Sequence, residues 1–301
     1  MIYDLPAPAK LNLFLHVTGR QANGYHQIES VFVPINWMDR ISLDLRRDGS
    51  ISRSDESSAK AIALPTEDLC VRAAKALQLA TGCRLGVHIH LNKTIPSEAG
   101  MGGGSSDAAT TLLGLNRLWQ LGLDRERLAR IGVTLGADVP FFLHSGPAFV
   151  EGIGEKITPL TLKPMRFWVL KPELGVPTRA IFESPDLRRD TNPATISAFV
   201  EAPFGFGRND LQPVAEHLCP DITRACAWFR KQGLAPRMTG SGSAAPVTAR
   251  SPRPRPRAPP GAPASACPRR PPSARPTPGR PPPAQRRTPR SGARPRPWPR
   301  A

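Results

Sequence analysis

A chain of 301 residues with 40% apolar content can bury a real core in one large domain or two ordinary ones, which excludes a peptide or a repeat array. Its net charge of +17 is concentrated at one end: residues 246–301 carry 14 Arg, no Lys and no acid, so the preceding 245 residues hold 27 basic against 24 acidic side chains and are near neutral. That segment also holds 19 of the 36 prolines, so two kinds of sequence meet near Ala245. No run of about 18 apolar residues occurs, and Met1-Ile2-Tyr3-Asp4 lacks the charged and then apolar order of an export signal, so no membrane contact is expected. Cys70, Cys83, Cys219, Cys226 and Cys267 form no C-x-x-C and no zinc-like spacing, which fits a reducing cytoplasm.

In chain order, Lys10 to Val17 reads as a strand, because Leu11, Leu13, Leu15 and Val17 alternate with Lys10, Asn12, Phe14 and His16. Period two places Lys10 and Asn12 side by side on the face opposite the leucines. A turn at Asn23-Gly24 precedes Tyr25 and His26, and Val31–Ile35 and Ile41–Leu45 read as two further strands. Thr66 is the expected N-cap of a helix with Leu69, Ala73, Leu77 and Ala80 on one face. Val87, Ile89 and Leu91 alternate with His88, His90 and Asn92 in another strand, whose two histidines read as a polar strand face.

A glycine-rich segment follows, Pro96-Ser97-Glu98-Ala99-Gly100-Met101-Gly102-Gly103-Gly104-Ser105-Ser106-Asp107, and leads into a helix carrying Ala108, Leu112, Leu115 and Trp119. A second helix, capped by Asp124, is expected to stop at Gly136, just before Ala137-Asp138-Val139-Pro140. The pattern restarts beyond about residue 158 with a strand at Phe167–Leu170. Short helices are predicted near Thr178–Glu183 and Pro193–Val200, then two amphipathic ones with Leu211, Val214 and Leu218, and with Ile222, Cys226 and Phe229. Mixed strands and helices without regular βαβ alternation indicate an α+β fold in two lobes, 1–158 and 159–245.

The glycine run carries the clearest chemistry. Four glycines in five residues let the backbone close round a ligand, and the helix that Ser105, Ser106 and Asp107 begin offers free N–H groups to an anion. The result is a phosphate cradle. It is not a Walker A loop, since the chain contains no Gly-Lys dipeptide, nor a dinucleotide fingerprint, since Ser105 or Asp107 stands where a third glycine is needed.

Pro96-x-x-x-Gly100-Met101-Gly102-Gly103-Gly104-Ser105-Ser106 resembles the ATP-binding motif of the GHMP kinases, the group of galactokinase, homoserine kinase and mevalonate kinase. Pro8-Ala9-Lys10-Leu11-Asn12-Leu13 with Gly24-Tyr25-His26, Leu135 to Pro140, and Asn209-Asp210-Leu211 resemble the branch that phosphorylates the 2-hydroxyl of a cytidine-diphosphate-linked methylerythritol in non-mevalonate isoprenoid synthesis. The resemblance spans about residues 6–244. It implies a two-lobed GHMP kinase fold, with a first lobe like ribosomal protein S5 domain 2 and an incomplete ferredoxin-like second lobe. It implies ATP bound by Pro96, Ser97, Glu98, Ala99, Gly100, Met101, Gly102, Gly103, Gly104, Ser105 and Ser106. It implies catalysis by Lys10 and Asp138, and substrate contacts by Asn12, Tyr25, His26, Thr178 and Phe182, with Tyr25 and Phe182 sandwiching cytosine and His26 reading its edge.

The chemistry of the residues agrees. An acceptor alcohol must lose a proton, which Asp138 can take, while Lys10 stabilises Asp138 and the incipient alkoxide. Magnesium is expected to arrive with ATP, with a Ser105 or Ser106 hydroxyl as its candidate contact and no dedicated protein site. The expected partner is CDP-methylerythritol, not nucleic acid, and the chain is expected to be a monomer or weak homodimer. Alternatives are a GHMP kinase of the mevalonate or homoserine type, or an RNA-binding protein using the basic end. Thr239-Gly240-Ser241-Gly242-Ser243-Ala244 resembles the family's third motif, after which a strand, a helix and a final strand are expected. From Pro246 the periodicity is lost, so 246–301 reads as a disordered Pro/Arg-rich tail from out-of-frame translation.

Overall fold

One long hairpin organises the chain. In the computed structural model, which describes residues 1–57 and 65–248, β1 (Ile2–Arg20) turns at Asn23-Gly24 and returns antiparallel as β2 (His26–Arg46). Where periodicity predicts a strand only at Lys10–Val17, β1 runs the full nineteen residues, and the two strands expected within β2 are one. The reason is burial on both faces: from Ala9 to Val17 every β1 residue is buried, so Lys10 is not on a solvated face and alternation is no guide to length.

One edge of β2 pairs with β1; the other pairs with β5 (Ala148–Glu151) around Val31 and with β4 (Gly86–Lys93) from Arg40 to Arg46. β3 (Ile51–Ser57) lies parallel to β4 at one margin, and β6 (Lys156–Pro159) pairs with β5 at the other. The sequence signal misses β3, β5 and β6. Beyond Ile51, β3 is polar throughout, as an edge strand can be.

Helices cover one face of this sheet. α1 (Leu69–Thr81) is capped by Asp68, whose carboxylate accepts from the Val71 amide at 3.1 Å, and not by the expected Thr66. α2 (Gly103–Leu118) begins inside the glycine run, two residues before the expected Ser105. α3 (Arg125–Leu135) has the predicted Asp124 cap and ends at Gly136. Asp138 then stands at the start of the short α4 (Val139–Leu143), its carboxylate making no capping hydrogen bond. Ile41, Leu43, Val87 and Ile89 of the sheet pack against Leu77, Leu112, Leu115 and Leu143, and their burial supplies most of the driving force here.

β7 (Phe167–Leu170) pairs antiparallel with β8 (Ala245–Thr248). Between them lie α5 (Thr178–Glu183), α6 (Ile196–Glu201), α7 (Gln212–Leu218) and α8 (Pro220–Lys231). A second core joins Leu15, Val17 and Ile28 of the hairpin to Ile181, Leu211, Ile222, Phe229 and Val247.

β8 corrects the expected break. Pro246, Val247 and Thr248 continue a strand instead of opening a featureless segment, because Val247 is buried and Ala245–Thr248 finds a ladder partner in β7. The rest of the expected tail, from residue 249, lies outside the described residues. Among the described residues no helix is long and apolar enough to cross a membrane.

Val247→Asp places an unpaired charge in the second core and is expected to lower unfolding stability by about 3 kcal/mol. Denaturant titration of the two chains checks this; an unchanged midpoint would mean that β8 does not hold that core.

Candidate active site

Among the described residues, the edge of β1 facing away from β2 has no neighbouring strand along most of its length, yet its amides between Lys10 and Val17 find partners. Lys10 N–H donates to Met101 O at 2.9 Å, Asn12 N–H to Thr239 Oγ1 at 2.8 Å, Leu15 N–H to Arg208 O at 2.8 Å and Val17 N–H to Asp210 Oδ2 at 2.8 Å. Buried backbone amides need such partners. The segments that supply them are the glycine loop, the Thr239 turn and the Asn209-Asp210-Leu211 motif. Asn209 ties two of these together, since its Nδ2 donates to Met238 O and Gly240 O, both at 2.8 Å.

On this strand Lys10 is 3% exposed. Its Nζ donates to Asn12 Oδ1 at 2.6 Å, lies 3.5 Å from Asp138 Oδ2 and sits 4.4 Å from the centre of the Phe32 ring. Burial pushes the Lys10 pKa below that of an ordinary lysine, and the Asp138 carboxylate pulls it part of the way back. Asn12 is engaged inside the protein: Oδ1 also accepts from Thr239 Oγ1 at 3.1 Å, and Nδ2 donates to Ser30 Oγ at 2.8 Å. It fixes the ammonium in place. Asp138, at the entrance to α4, is part-exposed and can meet a ligand.

The glycine loop is shaped by backbone meeting backbone. Gly100 (φ 71°) and Gly102 (φ 68°) are left-handed, a conformation in which only glycine is unstrained. A Cβ on Gly240 would lie 2.7 Å from Gly100 O, and one on Gly242 would overlap Gly100 N. Ser243 N–H donates to Glu98 O at 3.2 Å, which ties the turn to the loop. A Cβ on Gly102 would crowd the Lys10 Cγ at 3.2 Å, so loop and lysine are neighbours. The first turn of α2 brings Ser105 and Ser106 here. Ser106 Oγ is buried without a hydrogen-bond partner, an orphan that a phosphate oxygen or its cation would satisfy.

Sequence reasoning missed a buried charge cluster behind this loop. Lys93 Nζ contacts Asp107 Oδ2 at 2.7 Å and also Asp39 Oδ2, while Asp39 Oδ1 accepts from Thr94 N–H at 2.5 Å and Ile95 N–H at 2.8 Å. Two carboxylates share one ammonium. Burial raises the Asp107 pKa, the Lys93 charge opposes this and Asp39 adds to it, leaving it at about 8. The three residues come from β2, β4 and α2, and no local pattern links them.

At the other end, the His26 ring lies 5.0 Å from the Phe182 ring at 35°. Tyr25 beside it is exposed. Thr178 Oγ1 is 2.6 Å from Ser241 Oγ, so α5 is joined to the glycine turn at its start and carries Phe182 one turn on. The structure thus links Lys10, Asn12, Asp138, the glycine loop, Thr178, Phe182 and His26 through a continuous set of contacts. His88 and His90 lie elsewhere, bonded to Ser52, Ser54 and Asp44 along a strand face.

Residues 68–146 match the family described as GHMP kinases N terminal domain. With the glycine cradle beside a lysine and an aspartate, this defines the class as a GHMP-type kinase, which uses ATP. The chain is 59% identical over 247 residues to 4-diphosphocytidyl-2-C-methyl-D-erythritol kinase of Paracidovorax citrulli (strain AAC00-1), covering 81% of this chain and 85% of that one. A crystal structure of 4-(cytidine 5'-diphospho)-2C-methyl-D-erythritol kinase matches with TM-score 0.67 and 36% identity, over 82% of this chain and 90% of that one. The chain belongs to the 4-diphosphocytidyl-2-C-methyl-D-erythritol kinase family. A mevalonate kinase of Methanococcus jannaschii, 15% identical with TM-score 0.58 over 83% of this chain and 90% of its own, shares the fold.

Two substitutions test this geometry. Gly242→Ala forces a methyl into Gly100 and is expected to cost about 3 kcal/mol of stability, read by denaturant unfolding; full stability would mean the turn and loop are not in contact. Asp107, protonated in the folded state up to about pH 8 and ionised well below that when unfolded, contributes stability present at acid pH that is lost as pH rises. Asp107→Asn is therefore expected to flatten the fall in melting temperature between about pH 5 and about pH 8; parallel curves for both chains would refute it.

Proposed function

We propose that the chain transfers the γ-phosphoryl group of ATP to the 2-hydroxyl of 4-diphosphocytidyl-2-C-methyl-D-erythritol. The observation that carries this reading is the buried Lys10 ammonium, 3.5 Å from Asp138 and packed against the glycine loop. Asp138 takes the hydroxyl proton as the oxygen attacks phosphorus. Lys10, 3.5 Å from that carboxylate, offsets charge on the migrating group, an effect strengthened by exclusion of water. Asn12 holds that ammonium in line, which is its contribution at the substrate. The residues Pro96 to Ser106 take the ATP phosphates on loop amides and on the first turn of α2.

Ser105 and the unpartnered Ser106 Oγ fit a phosphate-bound magnesium ion, which when bound neutralises phosphate charge. His26 and Phe182, with Tyr25 beside them, take the cytosine, and Thr178 lies between that end and the glycine turn. A base site distinguishes this reading from the mevalonate and homoserine types, whose substrates carry no base.

Asp138→Asn is expected to lower kcat about a thousandfold with the KM for ATP unchanged. Phe182→Ala is expected to raise the KM for the cytidylyl substrate about tenfold, with that for ATP again unchanged. Steady-state kinetics with each substrate varied in turn decide both. A near-normal kcat for Asp138→Asn would remove the proposed base, and equal KM losses in Phe182→Ala would assign Phe182 to packing alone.

A further inference from the structure

Arg189, in the loop after α5, touches two of the residues proposed to hold the base, His26 and Phe182. Its Nε–H donates to His26 Nε2 at 2.9 Å. Its Nη2 donates to Phe182 O at 3.0 Å and Ser184 O at 2.8 Å, and its Nη1 to Leu187 O at 2.9 Å. Three carbonyls therefore fix the guanidinium, two of them at the end of α5 where helical carbonyls lack partners. With the planar fork so held, Nε–H has one direction, and His26 lies along it.

We propose that Arg189 is a positioning residue that holds His26 as the neutral tautomer with its proton on Nδ1, so that the imidazole presents a donor to an acceptor on the pyrimidine edge. This rests on the kinase reading above and specifies how its base site discriminates. A guanidinium has no acceptor and does not lose its proton, so the ring nitrogen facing it must carry the lone pair. In neutral histidine the proton then sits on the other nitrogen. Cytosine offers ring N3 and O2 as acceptors at its edge, whereas the same ring position in uracil carries a hydrogen. The charged groups facing the ring are Arg189 and Arg20, the residue paired with His26 across the hairpin. Partial burial, reinforced by these two cations, holds His26 below the pKa of an ordinary histidine, which keeps the neutral form in place at physiological pH. The Phe182 ring, 5.0 Å away and tilted by 35°, packs against the imidazole and limits its rotation.

The tautomer can be read without turnover, by nitrogen NMR of the full chain labelled at histidine, with the His26 signals identified by their loss in His26→Gln. At neutral pH the expected pattern is protonated Nδ1 and bare Nε2; a protonated Nε2, alone or in an imidazolium, overturns the proposal.

Kinetics give a second readout. In Arg189→Ala the proton is free to move to Nε2, leaving a lone pair against the base acceptor, so at about pH 8 the KM for the cytidylyl substrate is expected to rise about tenfold with the KM for ATP unchanged. As pH falls the imidazolium forms and again carries hydrogen on Nδ1, so acid is expected to close the gap to the parent chain, whose KM stays level. A gap that is the same at every pH, or a matching rise in the KM for ATP, would mean that Arg189 only braces the loop and would overturn the proposal. Absence of cytidylyl-substrate turnover in the parent chain would instead strike the kinase reading, a failure distinct from either.

Discussion

The structure depends on the open edge of β1 between Lys10 and Val17. A strand buried on both faces cannot leave its edge amides to solvent, and among the described residues no adjacent strand runs along that edge to take them. Met101, Thr239, Arg208 and Asp210, from segments far apart in the chain, complete it instead. The requirement to satisfy backbone polarity thus draws the separate motifs to one place. Lys10 and Asn12 belong to the same strand, so the loop proposed to bind phosphate and the groups proposed to handle the acceptor proton are fixed to one support.

Close backbone packing sharpens this arrangement. Gly100 and Gly242 approach until neither tolerates a Cβ, so the shape of the phosphate loop is set by a turn about 140 residues later. Behind the loop, Asp39, Lys93 and Asp107 join β2, β4 and α2 by charge. Burying that cluster opposes folding unless each charge has a partner. Its geometry nevertheless determines where the first turn of α2 points. Stability and function therefore make opposite demands on the same residues, which is common where a helix terminus serves as an anion site.

Much of this was legible in the sequence where a signal is local. Asp124 and Gly136 mark both ends of α3, the glycine run marks the cradle, and period two places Lys10 beside Asn12. The length of β1 was hidden because burial on both faces removes alternation, and the edge strand β3 because its residues are polar. The start of α2 was misread by two residues because Gly103 and Gly104 are poor helix formers, held helical by the sheet and α1 beneath them. Lys93, Asp39 and Arg189 carry no local signature, since each acts on a partner far away in the chain. β8 is hidden because no periodicity continues beyond Pro246, though a strand at the edge of a two-stranded sheet can carry proline.

Amide hydrogen exchange at Lys10, Asn12, Leu15 and Val17 tests the central claim most directly. If the three segments complete the β1 edge, these four amides exchange as slowly as those of the β1–β2 ladder and open only with global unfolding. Rapid exchange at all four, beside a protected ladder, would show that the edge is open in solution and that the motifs do not depend on it.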